Sequence, residues 1–244
     1  MMDVIVTTYN RLSFLKQTIE SFIEMNKEMP YRLFISDDCS TDGTADYLCK
    51  LRTQGVANIL LPSHRQGVVY GFNFLWNWVD YLDTFDIEYP FMCYLQDDMV
   101  STKKEWLVEL VQVYEALKEK EPIGFFSGYD APEHLVKETV QYNGCKVFLK
   151  TSTGGSNLIA EKDFWRSIGF VPKRNPDGSV RGYPNKNVGS HIDVYLTGYY
   201  SLSRINPGSS AKNCLRYQNK KVMVVPSLMH LGQEPKESTW RTRR

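Results

Sequence analysis

A charge excess of either sign is missing from this chain. Its 29 Lys plus Arg stand against 28 Asp plus Glu, a net charge of +1 over 244 residues. No global field therefore draws the protein to a polyanion, and composition lends nucleic-acid binding no support. CxxC pairs are missing too. The five cysteines, at 39, 49, 93, 145 and 214, are odd in number and sit mostly in apolar or helical contexts, which suits reduced, buried thiols in a reducing compartment. Long apolar runs are also lacking: GVVYGFNFLWNWVDYL (67–82) is interrupted by Gly71, Asn73, Asn77 and Asp80 and falls short of the about 20 apolar residues of a bilayer span. The start, MMDVIVTTYN, has neither the basic region nor the long apolar segment and cleavage site of a secretory signal. A cytoplasmic protein with no transmembrane segment is expected. No repeat or low-complexity segment occurs. No glycine-rich, basic triphosphate loop follows the first apolar run, which counts against a nucleotidyltransferase.

With 42% hydrophobic and 13% aromatic residues, the chain has material for one large core. Short apolar runs alternate with amphipathic stretches. DVIVTT (3–8), YRLFIS (31–36), ANILLP (57–62) and FMCYL (91–95) read as strands, each followed by apolar residues at helical spacing. Thr41 and Asp42 mark the start of the second helix, and a helix is expected from near Thr102. Four β-α units predict an α/β fold: a single Rossmann-like, nucleotide-binding domain whose mostly parallel central sheet is flanked by helices. From Pro122 the runs PIGFFSGY and CKVFLK suggest a mixed sheet, and TSTGGSNLIA a glycine-marked turn entering another strand. One domain over 1–244 is expected, with halves at 1–120 and 121–232 and a tail or lid at 233–244. Residues 173–190, rich in Pro, Gly and Asn, read as a long surface loop.

Ligands of such sheets bind beyond the carboxyl ends of the strands, and polar residues gather there: Thr7, Thr8, Tyr9 and Asn10; Asp37 and Asp38; His64, Arg65 and Gln66; Asp97 and Asp98. The last pair poses the sharpest question. Adjacent carboxylates closing a buried strand repel one another and are costly to desolvate unless a cation or donors compensate. A hard divalent cation is one answer; solvation or capping of the following helix is the other.

VIVTTYNR, ISDDCSTDGT and LQDDMV, in this order and spacing, resemble the inverting family 2 glycosyltransferases, whose catalytic domain has the GT-A fold. The resemblance runs over roughly residues 3 to 240 and is dense in the first 110 or so. It implies a metal-dependent inverting enzyme that moves a sugar from a nucleoside-diphosphate donor, a UDP-sugar by the acidic base contact, to an acceptor hydroxyl, with Mn²⁺ or Mg²⁺ as cofactor. It also implies Asp98 as metal ligand, Asp97 at the ribose and Asp38 accepting from the base N–H. By the same resemblance 1–120 is the nucleotide-sugar- and metal-binding half and 121–232 the acceptor-binding and catalytic-base half, Thr7, Tyr9 and Asn10 are expected to line the nucleotide pocket, and Arg65 to meet a phosphate or the base; a solvated loop charge is the alternative for Arg65. In GSHIDVYLTGYY (189–200), Asp193 resembles the acidic catalytic motif, although His191 and Ile192 stand where an acidic residue more often precedes it. His191 is the competing base, having an ordinary pKa nearer neutrality, and a helix-dipole role is the structural alternative for Asp193. His230, after the apolar run VPSLM, resembles the late histidine that meets metal or diphosphate. A catalytically silent sugar-nucleotide or glycan-binding module on the same fold is the competing function. The acceptor stays open among a glycan, a lipid-linked saccharide, a protein and a modified nucleobase.

Overall fold

The computed structural model describes residues 1–85, 88–132, 134–171 and 220–231. The chain opens with four β-α units. Strand β1 (Met2–Thr8) leads to α1 (Leu12–Met25), β2 (Tyr31–Asp37) to α2 (Thr44–Thr53), and β3 (Asn58–Leu60) to α3 (Val68–Asp83). The fourth unit has β4 (Phe91–Gln96), a short β5 (Met99–Ser101) and α4 (Trp106–Leu117). Then follow β6 (Ile123–Ser127), β7 (Val136–Tyr142), β8 (Cys145–Lys150), β9 (Asn157–Glu161), α5 (Lys162–Ile168), β10 (Lys221–Val224) and β11 (Leu228–His230).

Among the described residues the main sheet runs β3-β2-β1-β4-β9-β6-β10-β8-β7. Its first four strands are parallel. Beyond β4 it is mixed, with β9 antiparallel to β4, β10 parallel to β6, and β7 and β8 forming an antiparallel hairpin at the edge. The expected α/β architecture is present. Strand alternation sorts the core into two layers: Val4, Val6, Leu33, Ile35, Cys93 and Leu95 face α1, α2 and α4, while Ile5, Phe34, Met92 and Tyr94 face α3 and α5. Burial on both faces is why these strands read as unbroken apolar runs rather than alternating ones.

Three expectations need correction. The third strand has three residues, not six, because only Asn58–Leu60 pairs with β2. The helix after β4 starts at Trp106 rather than near Thr102, because Met99–Ser101 instead pairs with β11. Thr41 and Asp42 lie before α2 without being its cap residue; Asp42 accepts hydrogen bonds from the Thr44 N–H and hydroxyl, and from Leu12 N at 2.9 Å. One carboxylate therefore ties the starts of two helices together. The β7 strand is an element for which the sequence raised no expectation; its largely exposed edge position leaves little apolar pattern to read. No described helix is long and apolar enough to cross a membrane. His191, Asp193, the 173–190 segment and the 233–244 tail lie outside the described residues.

Helix α3 lies close on the sheet at Gly71. A Cβ there would sit 2.8 Å from Ser36 Oγ and 3.1 Å from Ser36 Cβ. Gly71→Val is therefore expected to lower stability by about 1–3 kcal/mol, the usual cost of overpacking. Urea denaturation checks it: a lower midpoint at unchanged slope is expected, and an unaltered midpoint would show that α3 can lift away freely.

Candidate functional site

The alternation that builds the core also decides which rim residues meet. Thr7 shares the α3 face with Ile5; its hydroxyl lies 3.2 Å from the Tyr94 hydroxyl, and its methyl lies under Gly71. Thr8 points to the opposite face and donates to Asp97 Oδ2 at 2.7 Å. Thr7 is thus packed between sheet and helix, and its neighbour reaches the carboxylates.

Asp97 and Asp98 are both buried and share one cation. Arg11, between β1 and α1, places Nη1 2.8 Å from Asp97 Oδ1 and Nη2 2.5 Å from Asp98 Oδ2, and its own side chain is 7% exposed. Burial pushes the Asp97 carboxyl up to about 6, Arg11 opposes that, and the adjacent Asp98 adds to it. Burial lowers the Arg11 pKa, but Asp97 and Asp98 outweigh it and hold the guanidinium charged. The sequence required a partner for the pair. Arg11 ends the VIVTTYNR run, where nothing local shows that a residue 86 positions away closes over Asp97.

Asp38 is an anchor for the loop before α3. Its Oδ1 accepts from Gln66 N at 2.7 Å and Gly67 N at 2.9 Å, and its Oδ2 lies 3.4 Å from Arg65 Nε. Gly67 has φ +85, a backbone state that glycine adopts without penalty. Arg65 in turn lies over the Tyr9 ring, 3.7 Å from its centroid. Asn10 has φ +50; it accepts from Thr41 N at 2.7 Å, while its own N–H donates to Ser40 Oγ at 2.7 Å. Asp37 accepts from the Ser40 backbone and hydroxyl; burial raises its pKa, against those bonds. Burial also disfavours the Asp42 carboxylate, yet its bonds from Thr44 and Leu12 prevail and lower its pKa. Tyr9, Asn10, Asp38 and Arg65 thus form one connected patch.

His230 arrives from the far end of the sequence. Pairing of β11 with β5 sets His230 opposite Met99, Leu231 N donates to the Asp98 carbonyl at 2.8 Å, and His230 Nε2 lies 3.4 Å from Asp98 Oδ2. The glycine-marked turn also adjoins the site, since Gln96 N donates to the Ser156 carbonyl at 2.9 Å.

A divalent ion fits this donor set. Asp98 Oδ1 and His230 Nδ1 are buried polar atoms with no hydrogen-bond partner among the described residues. Among those residues no three His, Cys, Asp or Glu side chains group as a closed metal cage. A hard cation held by one or two carboxylates and completed by phosphate oxygens and water needs no such cage. The oxygen of Asp98 that lacks a partner suits it better than Asp97, whose Oδ1 and Oδ2 are engaged by Arg11 and Thr8.

The family described as Glycosyl transferase family 2 matches residues 3–153. No curated protein shows significant similarity. Among solved structures, TarS residues 1–349 from S. aureus, in complex with UDP-GlcNAc, is 15% identical with a TM-score of 0.59; the match covers 95% of this chain and 60% of that one. The mannosyltransferase PcManGT from Pyrobaculum calidifontis, in complex with GDP-Man and Mn²⁺, is 15% identical with a TM-score of 0.50, covering 72% of this chain and 49% of that one. At such identities the likeness concerns the fold, and this chain spans less than two thirds of either solved chain.

Asp38→Ala is expected to free the loop before α3, whereas Asp38→Asn retains an oxygen for both N–H groups. Amide hydrogen exchange at Gln66 and Gly67 should quicken about tenfold or more in the alanine variant, in keeping with about 1.5–3 kcal/mol for a bond to a charged acceptor. Unchanged exchange in Asp38→Ala would rule out the anchoring role.

Proposed function

The chain belongs to glycosyl transferase family 2, and from that premise we propose that it is a metal-dependent inverting glycosyltransferase using a UDP-sugar donor and Mn²⁺ or Mg²⁺. The observation that carries this reading is the buried Asp98, with one oxygen lacking a partner and His230 Nε2 3.4 Å from the other, on the rim that also holds Asp38. Fold neighbours bound to UDP-GlcNAc, and to GDP-Man with Mn²⁺, support a nucleotide-sugar donor. They carry different bases, so the preference for uridine rests on Asp38. Its Oδ2 faces Arg65 rather than the backbone, and a carboxylate oxygen suits the N3–H of uracil.

In this reading Asp98 and His230 hold the metal, which when bound offsets the charge of the departing diphosphate. Asp97 orients the ribose after exchanging its present partners. Tyr9, Asn10 and Arg65 border the nucleotide, while Thr7 supports that wall from behind through Tyr94. Asp193 removes the proton of the attacking acceptor hydroxyl, with His191 as the competing base.

Two experiments test the reading. UDP is expected to raise the unfolding temperature with Mn²⁺ present and much less after chelation, because a ligand of the folded state alone stabilises it by mass action. Asp98→Ala should abolish the metal-dependent part. Equal stabilisation with and without metal would remove the metal from the proposal, and stronger stabilisation by GDP would remove only the uridine assignment.

Asp193→Asn should keep donor binding and lose about 10²–10⁴-fold in turnover, the usual worth of a positioned general base. A helix-terminal role predicts little change in either, since Asn serves a helix start nearly as well as Asp. If His191→Ala alone is inactive while still binding donor, His191 is the base. Donor binding without turnover in the unaltered protein, across acceptor classes, would favour the silent binding module.

A further inference from the structure

Arg11 makes a contact that a metal-binding carboxylate pair does not need once its metal is bound. The guanidinium bridges two different side chains through its two terminal nitrogens, 2.8 Å to Asp97 and 2.5 Å to Asp98, with all three groups buried. Its Nε is buried and has no hydrogen-bond partner among the described residues. Beyond the carboxylates, the head of the side chain rests on the Phe14 ring, 4.9 Å from the centroid. Its polar hold is thus the two carboxylates, and the oxygen it takes from Asp98 is also the one nearest His230 Nε2, at 3.4 Å.

We propose that Arg11 is a resident counter-cation of the Asp97 and Asp98 carboxylates, displaced when a divalent metal binds, so that metal affinity is low until a diphosphate is present. This rests on the metal-dependent reading of the site. Two adjacent buried carboxylates are costly without compensation. Arg11 supplies one positive charge in a fork that spans both, which keeps the strand end folded and the carboxylates aligned. A metal on Asp98 meets that guanidinium at close range in a water-poor setting, where like charges repel strongly. Arg11 and both carboxylates together carry a single net negative charge, and a divalent ion turns it positive. A diphosphate restores the balance and offers the planar guanidinium, once released, two oxygens for a bidentate contact. Metal and nucleotide then each raise the affinity for the other by the same factor.

The test is a Mn²⁺ titration of the full chain, followed by the electron paramagnetic resonance of free Mn²⁺, with and without UDP. Wild-type protein is compared with Arg11→Gln and Arg11→Lys. Without UDP, Arg11→Gln is expected to bind Mn²⁺ about tenfold or more tightly than wild type, and the gain from adding UDP should shrink. Arg11→Lys should fall between, because one ammonium cannot span both carboxylates as the fork does. Mn²⁺ binding by wild type with UDP, but equal or weaker metal binding in Arg11→Gln without it, overturns the displacement and leaves the metal reading standing. No Mn²⁺ binding by any of the three proteins, with or without UDP, overturns both. If circular dichroism shows Arg11→Gln unfolded without metal, Arg11→Lys decides by the same criterion: tighter Mn²⁺ binding than wild type supports displacement, and equal or weaker binding overturns it.

Discussion

Compensation of negative charge at the end of β4 is the constraint around which the rest of the rim is arranged. Asp97 and Asp98 sit where a buried strand leaves the sheet, and burying them demands a cation and donors within reach. Arg11 comes from the β1-α1 junction, Thr8 from the end of β1 and His230 from β11. Each contact fixes one element against β4. The pairing of β5 with β11 has the same effect, bringing the histidine beside the carboxylates through a backbone ladder rather than a flexible side-chain reach.

A second set of acidic residues organises the neighbouring loops. Asp42 holds the first N–H of α1 and the start of α2, and Asp38 holds the loop that opens α3. Asn10 closes the circuit by exchanging hydrogen bonds with Ser40 and Thr41. These groups hold the backbone in shape, and Asp38 Oδ2 faces the Arg65 side chain that lies over the Tyr9 ring.

Charge at the opposite end of the sheet behaves differently. Asp3 and Asp83 are buried among Arg32 and Lys162, with Arg166 at the margin, and Lys162 reaches both carboxylates. Two acids there meet two buried or half-buried bases in a network that ties β1, β2, α3 and α5 together. It needs no ligand to balance it. At the carboxyl end two acids share one arginine, with a histidine beside Asp98, and Asp98 Oδ1 has no hydrogen-bond partner among the described residues.

The β-α repeat, the parallel half of the sheet and the rim on which Asp38, Asp97 and Asp98 lie were determined by the sequence alone. Apolar runs of strand length, buried on both faces, followed by helical periodicity leave few other folds. The demand of the Asp97 and Asp98 pair for a partner was legible for the same reason, since like charges at a buried strand end are costly wherever the chain goes. Which partner answers was decided only by tertiary structure. Arg11 and His230 are far from the pair in sequence, and their approach depends on the β1-β4 and β5-β11 pairings. The same holds for Thr8 over Thr7: the two are neighbours of near-identical chemistry, and the face each takes follows from strand alternation once β1 is buried between two helix layers. The short β3, the inserted β5 and the edge strand β7 likewise depend on pairing with distant segments, and hydrogen bonds between backbones leave no mark in side-chain periodicity.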